Sequence, residues 1–599
     1  MSSVETRIGK IRAVSGSKIL LALDPEIDIA PVIRSRVHRV TQVGSLLKVK
    51  VGARYVIGHV SSAVAVSSHH TNENDGEEGT FAWGIIPGER SLELSVFGEI
   101  INGVFERGVS SFPDIDSEVH VVDENDLKSI YSNNSEEVLP LTLGELSGGI
   151  SLPAIVDLQK FVMRHAAIVG STGSGKSNAV SVVLKKISEL KWNNTKVIIV
   201  DIHGEYESFM NDDADVVSLR STTHPFKLPY WLLPFDELIA FIMGRTIQQE
   251  DLGTRKFKEE IVKGKVEWAI NNGLNDYTNS ITVDSPIPFD IRKIWYDLYV
   301  KEFATYDNAQ RQEEHISWID KGDSTRLALP TFNPPATGNS APFKGTQPTG
   351  AASLLEKLRT RCIDRNYDFI MGDDSNDVFR LELKTILESW LGGKGVTILD
   401  LNNVPSDVID ITVGSISRLL FDISRWGREK EGFGRKRPIF LVYDEAHLYL
   451  SDNKYGFSSG ASVRTVTRIL REGRKYGVGS LIVSQRPSDI NSTIFSQLGT
   501  IISLRLNNSS DVNVIKSAVP DNLSNMADII GSLKTGEAFI SGESVPLPLR
   551  TQFFEIEGRN QSSDPKLVGT WNKDKNIENL EEVIKIWRVQ GASINETEE

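Results

Sequence analysis

The residues best able to do chemistry are Gly170, Ser171, Thr172, Gly173, Ser174, Gly175, Lys176 and Ser177. Glycines at this spacing let backbone N–H groups converge on phosphate oxygens, which side chains would block. A helix opening at Lys176 aims its positive N-terminal end at the same anion. Lys176 would reach the β- and γ-phosphates, and the Ser177 hydroxyl would ligate Mg2+. An apolar run precedes the segment and a small-residue helix start follows it, the context of a nucleoside triphosphate-binding loop.

Phosphoryl transfer also needs a metal holder and a group that activates water. The apolar run Ile439–Tyr443 ends in Asp444 and Glu445, and carboxyl ends of strands are where α/β sheets bind ligands. Asp444 would hold Mg2+, and Glu445 would position and deprotonate the attacking water. Ser484, Gln485, Arg486 and Pro487 follow another apolar run, Leu481-Ile482-Val483. Gln485 there suits a sensor touching the γ-phosphate and the water. Arg464, Arg468, Arg471, Arg474 and Lys475 form a basic cluster, with Arg464, Arg468 and Arg471 on one helical face. Both a solvated face and an arginine finger that enters a neighbour's site fit that spacing. His203 and Glu205, in Asp201–Tyr206, lack the further ligands of a metal site. They read as a polar loop near the nucleotide.

These groups need a scaffold. From about residue 150 apolar strands alternate with helices, the mark of a parallel α/β sheet. The expected buried strands are 166–169, 197–200, 396–399, 439–443 and 480–484. Residues 1–145 read as short strands of a small barrel or sandwich, with a solvated loop at 71–79 and a polar linker at 132–137. Between 226 and 390 lies a mainly helical insertion, with helices near 234–243, 256–271 and 352–365 and an irregular Pro/Gly-rich stretch at 329–350. A helical pattern at 580–590 and a polar tail close the chain.

The 599 residues, 40% hydrophobic and 24% charged, describe a multidomain globular protein. No apolar run is long enough to span a bilayer, MSSVETRIGK lacks a signal-peptide core, and the single Cys362 excludes an internal disulfide. The expected location is a reducing cytoplasm. Net charge is −14, with −8 of it in residues 1–150. Any nucleic acid must therefore meet a local surface in the rest of the chain.

The segments RHAAIVGSTGSGKS, DIHGEY, IFLVYDEAHLYL and REGRKYGVGSLIVSQRP together resemble the HerA branch of the HerA–FtsK ATPases. IGKIRAV, ARYVIGHV and LELSVFGEI resemble the HAS-barrel ahead of such motors. The resemblance covers nearly the whole chain. It implies an α/β, RecA-like P-loop core with a mainly parallel sheet, an N-terminal β-barrel and a helical insertion. The division would be 1–145 barrel, 146–225 and 391–560 motor, 226–390 insertion and 561–599 C-terminal extension. It implies ATP and Mg2+ as ligands and a homo-hexameric ring moving double-stranded DNA through its pore. It places the arginine finger in REGRK, at Arg471 or Arg474. It also implies a NurA-like nuclease, or a sirtuin-like or other antiphage effector, docked on the acidic barrel.

Other readings fit some of the residues. Asp444-Glu445-Ala446-His447 spells a DEAH box, but 268 residues separate Lys176 from Asp444, and no second helicase core follows. An FtsK-like or conjugative pump usually carries membrane segments. A nucleotide-gated scaffold that assembles an effector is the non-pumping alternative; intact Lys176, Glu445 and Gln485 favour turnover.

Overall fold

The computed structural model describes residues 6–27, 32–33, 36–37, 40–65, 90–131, 138–147, 152–210, 213–246, 250–338, 340–345, 349–373, 377–451, 460–519, 521–556 and 580–588. The loop expected at 71–79, the linker at 132–137 and the polar tail lie outside them. The chain forms two compact units, residues 1–191 with 479–557, and residues 192–478 with 558–599.

The first unit opens with β1 (Arg7–Ser15), β2 (Lys18–Leu23), a short pair β3 (Val32–Ile33) and β4 (Arg36–Val37), β5 (Leu46–Val51), β6 (Arg54–Ala65), β7 (Arg90–Ile101), β8 (Val104–Arg107) and β9 (Glu118–Val121). Alternate residues along these strands point inward, so Leu47 and Val49, Val56 and Val60, Leu92, Leu94 and Val96, and Val119 and Val121 share one core. Antiparallel pairing runs β2-β1-β9-β5-β6-β7, and a further β2–β7 pairing closes the ring. Barrel and sandwich both fit the sequence; that pairing makes it a six-stranded barrel. Helix α1 (Glu124–Tyr131) follows it.

The same unit continues through β10 (Pro140–Leu146), β11 (Pro153–Asp157), α2 (Leu158–Met163), β12 (Ala166–Val169) and α3 (Lys176–Glu189). After the second unit, β21 (Val478–Ser484), β22 (Thr500–Ser503), β23 (Glu537–Gly542) and β24 (Leu549–Phe553) complete it. Strand β12 lies between β21 and β22 and runs parallel to both. Antiparallel β23, β24, β10 and β11 extend the sheet beyond β22. Arg107, at the end of β8, ties the barrel to the β23–β24 turn by donating to the carbonyls of Pro546, Gly542 and Val545 at 2.5, 2.9 and 2.5 Å.

In the second unit β13 (Val197–Asp201), β14 (Ala214–Ser218), β19 (Val396–Asp400) and β20 (Ile439–Tyr443) are all parallel, in the order β20-β13-β19-β14. Their near-continuous apolar runs suit strands covered on both faces. The helices are α4 (Glu207–Met210), α5 (Phe235–Met243), α6 (Leu252–Asn271), α7 (Ile291–Phe303), α8 (Ala352–Ile363), α9 (Asp368–Met371), α10 (Leu383–Leu391), α11 (Ile409–Trp426) and α12 (Ala461–Tyr476). The irregular stretch at 329–350 is held by two small pairings: β15 (Thr305–Tyr306) with β18 (Phe343–Lys344), and β16 (Trp318–Asp320) with β17 (Thr331–Phe332). Short helices α13 (Ser492–Phe495) and α14 (Ser509–Ala518) belong to the first unit, and α15 (Leu580–Arg588) to the second.

Candidate nucleotide site

Strand β12 delivers the glycine-rich turn and α3 leaves it. Gly175 caps α3 with φ +102°, a conformation L side chains rarely adopt, and a Cβ there would sit 3.0 Å from the Gly536 nitrogen. Gly173, at φ +75°, has nothing within 4 Å of where its Cβ would project. The N–H groups of Gly173 and Gly175 donate to no acceptor among the described residues, and the buried Ser174 Oγ also lacks a partner. Open space beside undirected donors fits a phosphate cradle.

The cradle is fixed from behind. Gly170 N–H donates to the Ser484 carbonyl at 3.2 Å and Ser171 N–H to that of Arg505 at 2.9 Å. The Ser171 hydroxyl accepts from Asn507 N–H at 3.2 Å. The structure brings Gln485 to this loop: the Thr172 hydroxyl donates to its Oε1 at 2.7 Å. Lys176 is buried at the start of α3, and Ser177 follows it in the first turn.

In the second unit β20 carries Asp444 and Glu445 out of its carboxyl end, both buried. Asp444 N–H donates to the Val200 carbonyl of β13 at 3.2 Å, and the Tyr449 hydroxyl donates to the Asp444 carbonyl at 2.7 Å. Glu445 has φ +45°, a left-handed backbone that costs a non-glycine residue on the order of 1 kcal/mol and is concentrated at functional sites. Its Oε2 lies 3.3 Å from His447 Nδ1.

Asp201, at the end of neighbouring β13, accepts from the backbone N–H groups of His203, Gly204 and Tyr206 at 3.2, 2.9 and 3.0 Å. Burial pushes its carboxyl up to about 6, against the pull of its backbone donors. The loop after β13 is thus a carboxylate-braced turn, and no group of three His, Cys, Asp or Glu among the described residues could hold a metal. A single carboxylate with a hydroxyl and substrate phosphates is the usual Mg2+ arrangement. The buried Tyr206 phenol is held well above its ordinary value by burial first, then by the charges of Asp444, Asp201 and Glu205.

Helix α12 carries the basic cluster, and the structure divides it. Arg464 reaches Glu237 of α5 at 3.8 Å. Arg468 lies 3.8 Å from Glu472 and over the Phe421 ring of α11 at 4.9 Å. Arg471 and Arg474 are exposed and make no hydrogen bond or ion pair among the described residues. Sequence reasoning missed what fixes this helix. Asp410, buried in α11, accepts from Ala461 N–H at 3.2 Å and Ser462 N–H at 3.1 Å, and the Ser462 hydroxyl also donates to it. The sequence holds no local signal for that bond, because 51 residues separate Asp410 from Ala461.

A strand–glycine loop–helix unit, parallel strands and a buried acidic pair at a strand's carboxyl end define a P-loop ATPase. Family models agree: "Helicase HerA, central domain" matches residues 141–420 and "Helicase HerA-like C-terminal" matches 429–548. The chain belongs to the HerA helicase family. It is 29% identical to the DNA double-strand break repair helicase HerA of Saccharolobus solfataricus over 478 residues, 79% of each chain. The HerA of Sulfurisphaera tokodaii is 27% identical over 78% of each. Among solved structures, VirB4 of Thermoanaerobacter pseudethanolicus aligns with TM-score 0.43 and 16% identity, covering 71% of this chain and 98% of that one.

Proposed function

We propose that this chain is a motor subunit that hydrolyses ATP to move double-stranded DNA, assembled as a hexameric ring. The observation that carries this is the Thr172–Gln485 hydrogen bond, which joins a phosphate-loop hydroxyl to a group suited to sensing the γ-phosphate. In this reading the loop 170–177 holds the phosphates, Lys176 neutralises them, and Ser177 and Asp444 are the groups that would hold Mg2+. Bound Mg2+ would offset charge developing on the transferred phosphoryl group. Glu445 takes the proton of the attacking water. Arg471 or Arg474, exposed and without a side-chain ion pair or hydrogen bond among the described residues, would enter the next subunit's site.

The barrel 1–145, motor 146–225 and 391–560, insertion 226–390 and extension 561–599 are the proposed division of labour. The names of the similar proteins support DNA as substrate and break repair as the setting. The acidic barrel would carry a partner nuclease or a defence effector. No helix among the described residues is long and apolar enough to cross a membrane.

Glu445→Gln keeps the shape of the site and removes the base. It should retain ATP binding while duplex-stimulated turnover falls about 10²–10⁴-fold, the usual contribution of a general base. Strand or roadblock displacement should vanish with it. Wild-type turnover in Glu445→Gln would overturn the assignment, and unchanged turnover across all duplex concentrations in wild type would overturn the DNA reading.

A further inference from the structure

We infer that the turn joining α11 to β20 is a binding surface for single-stranded nucleic acid, distinct from the ATP edge of the sheet. Trp426 ends α11 with 77% of its surface exposed. An indole this exposed buries little apolar surface, and it is flanked by cations. Arg425 lies over its ring at 5.2 Å. Arg428, Lys430, Arg435 and Lys436 are all exposed on the turn that follows. Only Glu429 and Glu431 oppose them there. Glu429 lies 3.3 Å from Arg428 and Glu431 pairs with Lys436. Arg425, Lys430 and Arg435 have no ion pair or hydrogen-bonded acceptor for their side chains among the described residues. In a chain of net charge −14 this is a concentrated positive surface.

The surface is built rather than loose. A Cβ on Gly477, at the end of α12, would lie 2.4 Å from the Gly434 carbonyl oxygen, so the turn is clamped against the second helix. Arg437 donates to the Leu391 carbonyl at 2.9 Å, and Arg428 lies over Tyr476 at 6.0 Å. Cations in the last helical turn also answer the helix dipole, but that requirement ends with the helix, whereas Lys430, Arg435 and Lys436 lie beyond it.

Position separates it from hydrolysis. The turn feeds the start of β20, and Asp444 and Glu445 follow its far end. Five strand residues put about 17 Å between them. The chemistry selects the ligand. Lysine and arginine bind phosphates without reading sequence, and an exposed aromatic ring stacks on an unpaired base, which a closed duplex does not offer. A single strand answers both features, such as a frayed end or a displaced strand.

The test uses the full-length protein and fluorescein-labelled dT20 beside a 20-base-pair duplex. Trp426→Ala should weaken dT20 binding about tenfold, the scale of one missing base stack, and leave duplex-stimulated ATPase unchanged. Lys430→Glu with Arg435→Glu should weaken dT20 binding and flatten its log K against log salt dependence by about 1.4, near 0.7 for each of two phosphates no longer neutralised. Equal weakening for duplex and dT20 in Trp426→Ala would overturn the single-strand assignment, as would unchanged dT20 affinity in both variants. A fall in native mass of the oligomer with dT20 affinity intact would show an interface between copies of this chain and also overturn it. Absence of duplex-stimulated ATPase in wild type refutes the motor reading and leaves the dT20 comparison to be judged separately.

Discussion

Replacing Asp410 tests how the arginine helix is held. Its carboxylate meets Ala461 N–H and Ser462 N–H at 3.2 and 3.1 Å, at the N-terminus of α12, where a negative charge is favoured. Asp410→Ala leaves those two backbone donors buried without their acceptor, at about 1–3 kcal/mol each. The Ser462 hydroxyl suffers less, since its one proton can go instead to the Tyr449 carbonyl at 2.5 Å. The sum is about 2–6 kcal/mol. Asp410→Asn keeps one oxygen and faces an amide N–H against the other donor, so about 2–3 kcal/mol is expected. Function should suffer differently. Arg474 lies thirteen residues along α12, about 20 Å from its start, so a tilt of about 3° moves it about 1 Å. A misplacement of that size can cost on the order of a hundredfold in rate. Urea unfolding of the second unit's transition would read the first effect. Turnover of the assembled enzyme, compared with binding of a non-hydrolysable ATP analogue, would read the second. If both variants stay within about 0.5 kcal/mol of wild type, the ordinary range of a surface substitution, the carboxylate does not hold the helix.

Thr172→Val removes the 2.7 Å bond to Gln485, worth about 1 kcal/mol; turnover should drop about fivefold with KM for ATP unchanged, and a pure KM effect would contradict the sensor role. In the barrel, burial lowers His59 from 6.5 to about 4, and neither ring nitrogen has a hydrogen-bond partner among the described residues. The unfolded chain therefore binds the extra proton first, and stability falls as pH drops from about 6.5 to 4, by about 3 kcal/mol in all. His59→Leu should flatten that dependence relative to wild type in urea melts at pH 7 and pH 4.5; parallel curves would show that His59 does not titrate this way.

What the sequence made legible follows from how each element is buried. The strands β12, β13, β19 and β20 are apolar at nearly every position, and their expected bounds differ from the observed ones by at most one residue. Strand β21 begins two residues earlier than expected, at Val478. Strands β10, β11 and β24 went unread because their burial is interrupted, and β22 and β23, though buried at nearly every position, because Thr500, Ser503, Glu537 and Ser541 shorten their apolar runs. In β24, Leu549, Thr551 and Phe553 are buried while Gln552 is exposed, a pattern with too few apolar residues to stand out. Helix α6 starts at Leu252, four residues before the apolar period is evident, because Asp251 caps it by accepting from Thr254 N–H at 2.7 Å. Motif residues announce themselves by type and spacing, so Lys176, Glu445 and Gln485 stand out as candidates in the sequence alone. Asp410 and Glu237 do not, since each acts on a helix far along the chain.

Charge shows the same division between what a total reveals and what placement reveals. Residues 1–150 hold −8 of the net −14, which argues against nucleic acid only if the surface is treated as uniform. Electrostatic attraction at about 0.15 M salt decays within about 8 Å, so a phosphate beside residues 425–436 responds to the charges next to it rather than to the chain's total. Within that turn Arg425, Lys430 and Arg435 stand outside the two glutamate pairs. The local sign, rather than the sum, therefore decides what docks there. A protein with an acidic total can keep duplexes from coating it and still hold a strand at one place.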